Sequence, residues 1–104
     1  MKRYGVKITD AALKDMEQVY NYIAFVLLSP ETAAGQYERI ATEILKLDFF
    51  PERFQVVADK PDYTHAIRRM SIDNFSVFYI IKDDSVIVTD VLYSASDIAA
   101  RPKG

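Results

Sequence analysis

Apolar and polar residues alternate in three runs across residues 65–94, HAIRRMSIDNFSVFYIIKDDSVIVTDVLYS. The runs are rich in Val, Ile, Phe and Tyr, and Asp73-Asn74 and Asp83-Asp84 separate them. Short polar pairs between such runs predict three antiparallel strands joined by tight hairpins. Residues 3–9, RYGVKIT, alternate too: Tyr4, Val6 and Ile8 share one face, and Arg3, Gly5, Lys7 and Thr9 the other, as expected of a half-buried strand.

Between these regions the period changes from two to between three and four. Thr9 or Asp10 can cap a helix in which Leu13, Met16, Tyr20, Ile23 and Leu27 form one apolar stripe, widened by Val19, Tyr22 and Val26. Lys14, Asp15, Glu17 and Gln18 fall mainly on its wet side. Ser29-Pro30-Glu31 reads as a second helix start, with serine at the cap, proline at the first helical position and an acid in the first turn. Ala33, Tyr37, Ile40, Ile44 and Leu47 form its stripe, and Phe50-Pro51 stops it. A connection of two or three residues makes the two helices antiparallel neighbours. Residues 51–64, PERFQVVADKPDYT, read as a loop punctuated by Pro51 and Pro61, and residues 95–104 as a short polar tail.

The predicted order is β-α-α-β-β-β in a single domain spanning residues 1–104. The economical packing is α+β, with an αα-hairpin on one face of an antiparallel sheet and the other face partly open. Arg68 and Arg69 are adjacent in the first meander strand, so their side chains leave on opposite faces. A guanidinium set into an apolar sheet needs a partner, because an unpaired buried charge is costly.

Composition narrows the chemistry. Among 104 residues there is no cysteine and only one histidine, His65. That removes disulfides, thiolate or multi-histidine metal sites and a cysteine nucleophile, and it suits a reducing cytosol. The start MKRYGVKI has no apolar segment of signal-peptide length, and the apolar stretch 23–28 is too short to span a bilayer. The three glycines form no phosphate-binding loop, and neither a metal nor another cofactor is expected. The formal charge of −2 lacks the basic excess usual for proteins that bind nucleic acid through phosphates, so such a role would need a local patch.

In their order along the chain, YGVKIT, LDFFPERF, IRRMSIDNFSVFYII and VIVTDVLYSASD resemble the RelE/ParE family of bacterial toxins. Arg68, Met70, Ile72, Asn74-Phe75, Val77 and Phe78-Tyr79 match the family's middle motif, and Val91, Leu92, Tyr93 and Asp97 its last. The resemblance implies the two-layer fold, a cognate antitoxin whose disordered segment folds on the toxin, and one of two targets. RelE-like members act with the ribosome and cut mRNA without a metal, the leading expectation for this chain; ParE-like members, the alternative, poison DNA gyrase without hydrolysis. A third possibility is a toxin fold that binds only its antitoxin. Ser96 stands where many relatives carry Arg or Lys, which removes a charge available to a pentavalent phosphate.

Under the RNase reading, Arg68 clamps a phosphate with its planar fork, His65 transfers a proton, and Tyr93 stacks on a base or donates a proton. Arg69, Lys60 and Arg53 then hold the RNA backbone. Each has a plainer alternative: an arginine paired with an acid such as Asp90, a sheet tyrosine with a wet hydroxyl, or a solvated loop residue.

Overall fold

The computed structural model describes residues 2–58 and 65–94. Strand β1 (Gly5–Ile8) leads into helix α1 (Asp10–Asn21), which ends in a π-helical turn, Tyr22–Val26. Helix α2 (Pro30–Leu45) follows, then two 3-10 turns, Lys46–Asp48 and Pro51–Arg53. Strands β2 (Gln55–Ala58), β3 (Ile67–Ile72), β4 (Phe75–Lys82) and β5 (Ser85–Tyr93) complete the chain. The α+β class holds: two helices lie on one face of a sheet ordered β1-β5-β4-β3-β2.

The meander forms with turns at the expected pairs. Asp73 and Asp83 take positive φ, 55° and 56°, as residues opening tight hairpins do. Two details differ from the sequence reading. Residues 55–58 are not loop: they pair antiparallel with β3, Gln55 opposite Arg69 and Val56 opposite Arg68. A four-residue strand between two prolines is too short to show a period. The sheet is also mixed, because β1 pairs parallel with β5, from Gly5 opposite Ser85 to Ile8 opposite Val88. The helical hairpin explains this. It returns the chain to the end where β1 began, with the Tyr4 amide donating to the Asp48 carbonyl at 2.8 Å. The meander therefore starts from that end, and its first and third strands run the same way as β1.

Thr9 caps α1, its Oγ1 accepting from the Ala12 amide at 3.2 Å. Ser29 sits at the start of α2, but its hydroxyl bonds Thr32 Oγ1 at 2.7 Å and caps no amide. The core joins Met16, Ile40, Ile44 and Leu47 from the helical layer to Met70, Val77, Tyr79, Val86, Val88 and Val91 from the sheet. The α2 stripe is placed as its spacing indicates. The α1 stripe is not: Leu13 is 39% exposed and Leu27 56%. Leu27 follows the π turn, which inserts an extra residue and rotates the positions beyond it off the helical phase; Leu13 precedes that turn. Asp15, expected on the wet side, instead accepts the Val91 amide at 3.0 Å beside the bulge in the β4–β5 pairing. No helix among the described residues is long and apolar enough to cross a membrane.

Candidate functional site

The two arginines of β3 do leave on opposite faces. Arg68 shares its face with Met70, Ile72 and, across the ladder, Tyr79, all of which pack under the helices. There its Nη1 donates to the carbonyls of Glu52, at 3.0 Å, and Phe54, at 2.7 Å. Arg69 is half-buried on the other face, in a row with Gln55, Phe78 and Asp90.

The carbonyls held by Arg68 belong to segment 46–54, which has little regular structure to satisfy them. Phe50 adopts φ 46°, the left-handed region, ahead of Pro51, which lacks an amide hydrogen. Side chains donate to several of these carbonyls, and the buried Pro51 carbonyl in particular needs such a donor. Arg53 donates to the carbonyls of Phe49, of Phe50 at 3.0 Å and of Lys46 at 3.5 Å. It also stacks over the Phe54 ring, 4.7 Å from its centroid. The Tyr79 hydroxyl donates to the Pro51 carbonyl at 2.6 Å. Burial pushes that phenol up to about 12, although the Arg68 and Arg53 charges pull the other way, so Tyr79 is a neutral donor in ordinary buffer. The Tyr4 hydroxyl donates to the Glu52 carboxylate at 2.8 Å, and that bond is the main reason the Glu52 carboxyl titrates below its usual value.

The remaining sequence candidates do not converge on this cluster. His65 lies just before β3 and is half-buried. Tyr93 ends β5 opposite Phe75, with its ring edge-on to Phe75 at 5.7 Å and 48% of its surface exposed. Phe75 in turn faces Ile72, so Tyr93 sits at the far end of β3 from His65, with the strand's steps from Ile67 to Ile72 spanning about 16 Å at 3.3 Å per residue. Arg68 lies between those two levels. Lys60, Ser96 and Asp97 are outside the described residues.

Among the described residues no group of three or more His, Cys, Asp or Glu could hold a metal ion. A cleft of about 780 Å³ between α2 and β3 is lined by Glu38, Arg39, Glu43, Ser71 and Asp73, among others. Its one guanidinium is already committed to both oxygens of Asp73, at 2.9 Å each. With three carboxylates against one cation, it disfavours a polyanion. Sequence reasoning missed Tyr79 as a polar anchor and Glu52 as the acid beside Arg68. The signal available for both was Phe50-Pro51, which stops a helix and leaves carbonyls in need of donors.

Residues 6–98 match the family model described as the ParE toxin of the type II toxin–antitoxin system, parDE. No curated protein sequence matches. Among solved structures, the chromosomal ParDE system of P. aeruginosa aligns with a TM-score of 0.71 at 19% identity, covering 88% of this chain and 96% of that one. The archaeal RelE–RelB complex of Pyrococcus horikoshii OT3 aligns at 0.60 and 17% identity, covering 91% and 99%. The RelBE2 toxin–antitoxin complex of Mycobacterium tuberculosis aligns at 0.60 and 17%, covering 92% and 97%. These likenesses give the fold, and the family match spans most of the sequence: the chain belongs to the ParE toxin family of type II toxin–antitoxin systems.

Proposed function

We propose that this toxin is held by a cognate antitoxin and that, once released, it arrests growth by binding its target rather than by hydrolysing RNA, with DNA gyrase as that target. The observation that carries the reading is the spread of the candidate catalytic groups. His65 and Tyr93 lie at opposite ends of β3, whose steps from Ile67 to Ile72 span about 16 Å, and Arg68 turns its Nη1 to the Glu52 and Phe54 carbonyls. Cleavage by the 2′-OH needs a base, an acid and a cation within hydrogen-bond reach of one phosphate. The net charge of −2 also supports a protein target over an extended RNA path.

Ribosome-dependent mRNA cleavage is the second reading. It is supported by Arg69 on the face away from the helices and by the half-exposed Tyr93 ring, which offers a base a stacking surface. In this reading Arg69, with Lys60 and Arg53, contacts the RNA backbone, while Arg68, His65 and Tyr93 surround the scissile phosphate.

Two assays on purified toxin separate the readings. Gyrase supercoiling should fall with rising toxin while cleaved DNA accumulates, and mRNA on programmed ribosomes should stay intact. Normal supercoiling at saturating toxin together with cut mRNA would overturn the gyrase reading and establish the second. Neither effect, with growth unaffected by the free toxin, would leave a fold that binds only its antitoxin.

A further inference from the structure

The end of α2 and the turns after it combine a strained backbone with exposed apolar side chains. Phe50 sits at φ 46°. For a bulky residue that is a true outlier, and it persists only where its surroundings impose it. Glycine would take the position without strain. Phenylalanine adds little to the monomer core, because it stays 56% exposed. Leu45, the last residue of α2, is 63% exposed, and Phe49 is 37% exposed.

Two arginines fix this patch in one shape. Arg53 draws the carbonyls of Lys46, Phe49 and Phe50 around a single guanidinium. Arg3 lies over the Phe49 ring, 5.1 Å from its centroid. A surface already ordered before contact loses less freedom when it binds. Aromatic and arginine side chains are also the ones that most often anchor protein contacts. Leu45, Phe49 and Phe50 together expose roughly 300 Å², taking about 200 Å² for each whole aromatic side chain and somewhat less for leucine. At the usual apolar share, such a centre belongs to an interface of about 500 Å² on each partner, the size of a weak, reversible association.

The charges of this region select the occupant. Arg3, Lys46 and Arg53 stand with the carboxylates Glu43, Asp48 and Glu52, three of each sign. Arg3 pairs with Asp48 at 3.2 Å and Lys46 with Glu43 at 2.8 Å, and all four side chains stay partly open to solvent. A polyanion or an anionic lipid surface meets as many acids as bases here and gains nothing. A second copy related by a two-fold axis brings the patch against itself, so cations of one copy meet carboxylates of the other. The apolar stretch 22–28 lacks that balance: between Asp15 and Glu38 the sequence holds four acids and no lysine, arginine or histidine. It also lies at the other end of α2, about 22 Å away at 1.5 Å per residue. We propose that the free chain pairs with a second copy of itself through the Leu45, Phe49 and Phe50 patch, forming a two-fold dimer that dissociates on dilution. The proposal is independent of which target the toxin attacks.

Sedimentation equilibrium of the purified chain should show a reversible monomer–dimer equilibrium with a dissociation constant on the order of 10–100 µM. Phe50→Gly removes the ring and the strain together. It should weaken the dimer at least tenfold, while the dilute, monomeric variant melts at or above the temperature of the parent. Asp48→Lys turns three charges against three into four against two. It should weaken the dimer at least tenfold at low salt, with recovery as salt is added. Phe25→Ser, in the stretch 22–28, should leave the dimer intact. A chain that stays monomeric at every concentration would overturn the proposal, as would a dimer that survives Phe50→Gly and Asp48→Lys or is lost on Phe25→Ser. A lower melt of dilute Phe50→Gly would overturn it too, by making Phe50 a packing residue of the monomer. So would Phe50-dependent binding of gyrase by a chain that remains monomeric, since the patch would then belong to the target. Supercoiling, mRNA cleavage and growth arrest are read separately, so failure here leaves the toxin function untouched.

Discussion

Replacing Tyr79 by phenylalanine tests whether side chains hold segment 46–54 through its carbonyls. The ring is fully buried and would keep its packing, including the edge-on contact with Phe54 at 6.5 Å. Only the hydroxyl and its 2.6 Å bond to the Pro51 carbonyl are removed. Pro51 is itself buried, so its carbonyl has poor access to water as a substitute donor. Stranding a buried acceptor costs about 1–3 kcal/mol. For a chain of this size that corresponds to roughly 5–15 °C in Tm. The pH dependence gives a second, independent arm. The Tyr79 phenol is raised from 10.0 to about 12 in the folded chain. A raised folded value means that the stabilisation is whole below about pH 10, where the phenol is neutral in both states. It is then lost as pH climbs to about 12, because the unfolded chain ionises first. Other tyrosines and the lysines titrate in parent and variant alike and cancel in the difference. Thermal melts of both proteins across neutral to alkaline pH should show a constant gap up to about pH 10 that then narrows. A Tm within 1–2 °C of the parent (about the error of a melt), or a gap that widens with pH, would refute the account of this segment.

The same reasoning separates the two arginines of β3. Arg68→Ala should lower stability by about 1 kcal/mol, because it removes a part-buried bond to the Phe54 carbonyl and an exposed one to Glu52, whereas Arg69→Ala should melt within a few degrees of the parent yet weaken growth arrest; melts beside an induced-expression growth assay check both. Asp83→Gly should raise Tm by a few degrees, since a β-carbon at φ 56° is disfavoured by about 1 kcal/mol relative to glycine. Asp73→Asn should flatten the acid side of the stability profile. The Arg39 guanidinium first, then Gln36, holds the Asp73 carboxyl below its ordinary value of 3.8, so its contribution is present above that pH and is lost as pH falls further. Melts at descending pH should show a steeper fall in the parent than in the variant.

Some of this architecture is legible in the chain, and the limits have physical causes. The meander reads well because Asp73-Asn74 and Asp83-Asp84 sit where strand periodicity breaks, and α2 reads well because Ile40, Ile44 and Leu47 keep helical spacing into the core. The α1 stripe already leaves Leu13 39% exposed near its start, and it fails again beyond Ile23, where the π turn changes the residue count per turn. Pattern reasoning assumes a constant pitch and then assigns Leu27 to a core that it does not reach. The strand Gln55–Ala58 is hidden because it is short and its pairing with β3 depends on a partner distant in sequence. Asp15 reads as solvated because its helical position is polar. Its role depends on a β-bulge around Thr89 that no local pattern announces.

Arg68 shows why a functional residue is harder to read than a fold. A guanidinium beside a sheet tyrosine is equally suited to a phosphate or to backbone carbonyls, since both present oxygen acceptors to a planar fork. The demand elsewhere in the chain decides between them. Between Lys46 and Phe54 the backbone makes two 3-10 turns, passes through the left-handed region at Phe50 and crosses Pro51, so its carbonyls point where no strand or helix can answer them. Arg53, Arg68 and Tyr79 answer them instead. A cation whose Nη1 is engaged in this way offers a phosphate only its other N–H groups unless it releases those carbonyls, and that release destabilises the segment it holds. Arg69 carries no such obligation to the segment, since it leaves on the opposite face of β3. Loss of activity on replacing Arg69 while the fold stays intact therefore speaks about the target, whereas the same loss on replacing Arg68 speaks first about the turn.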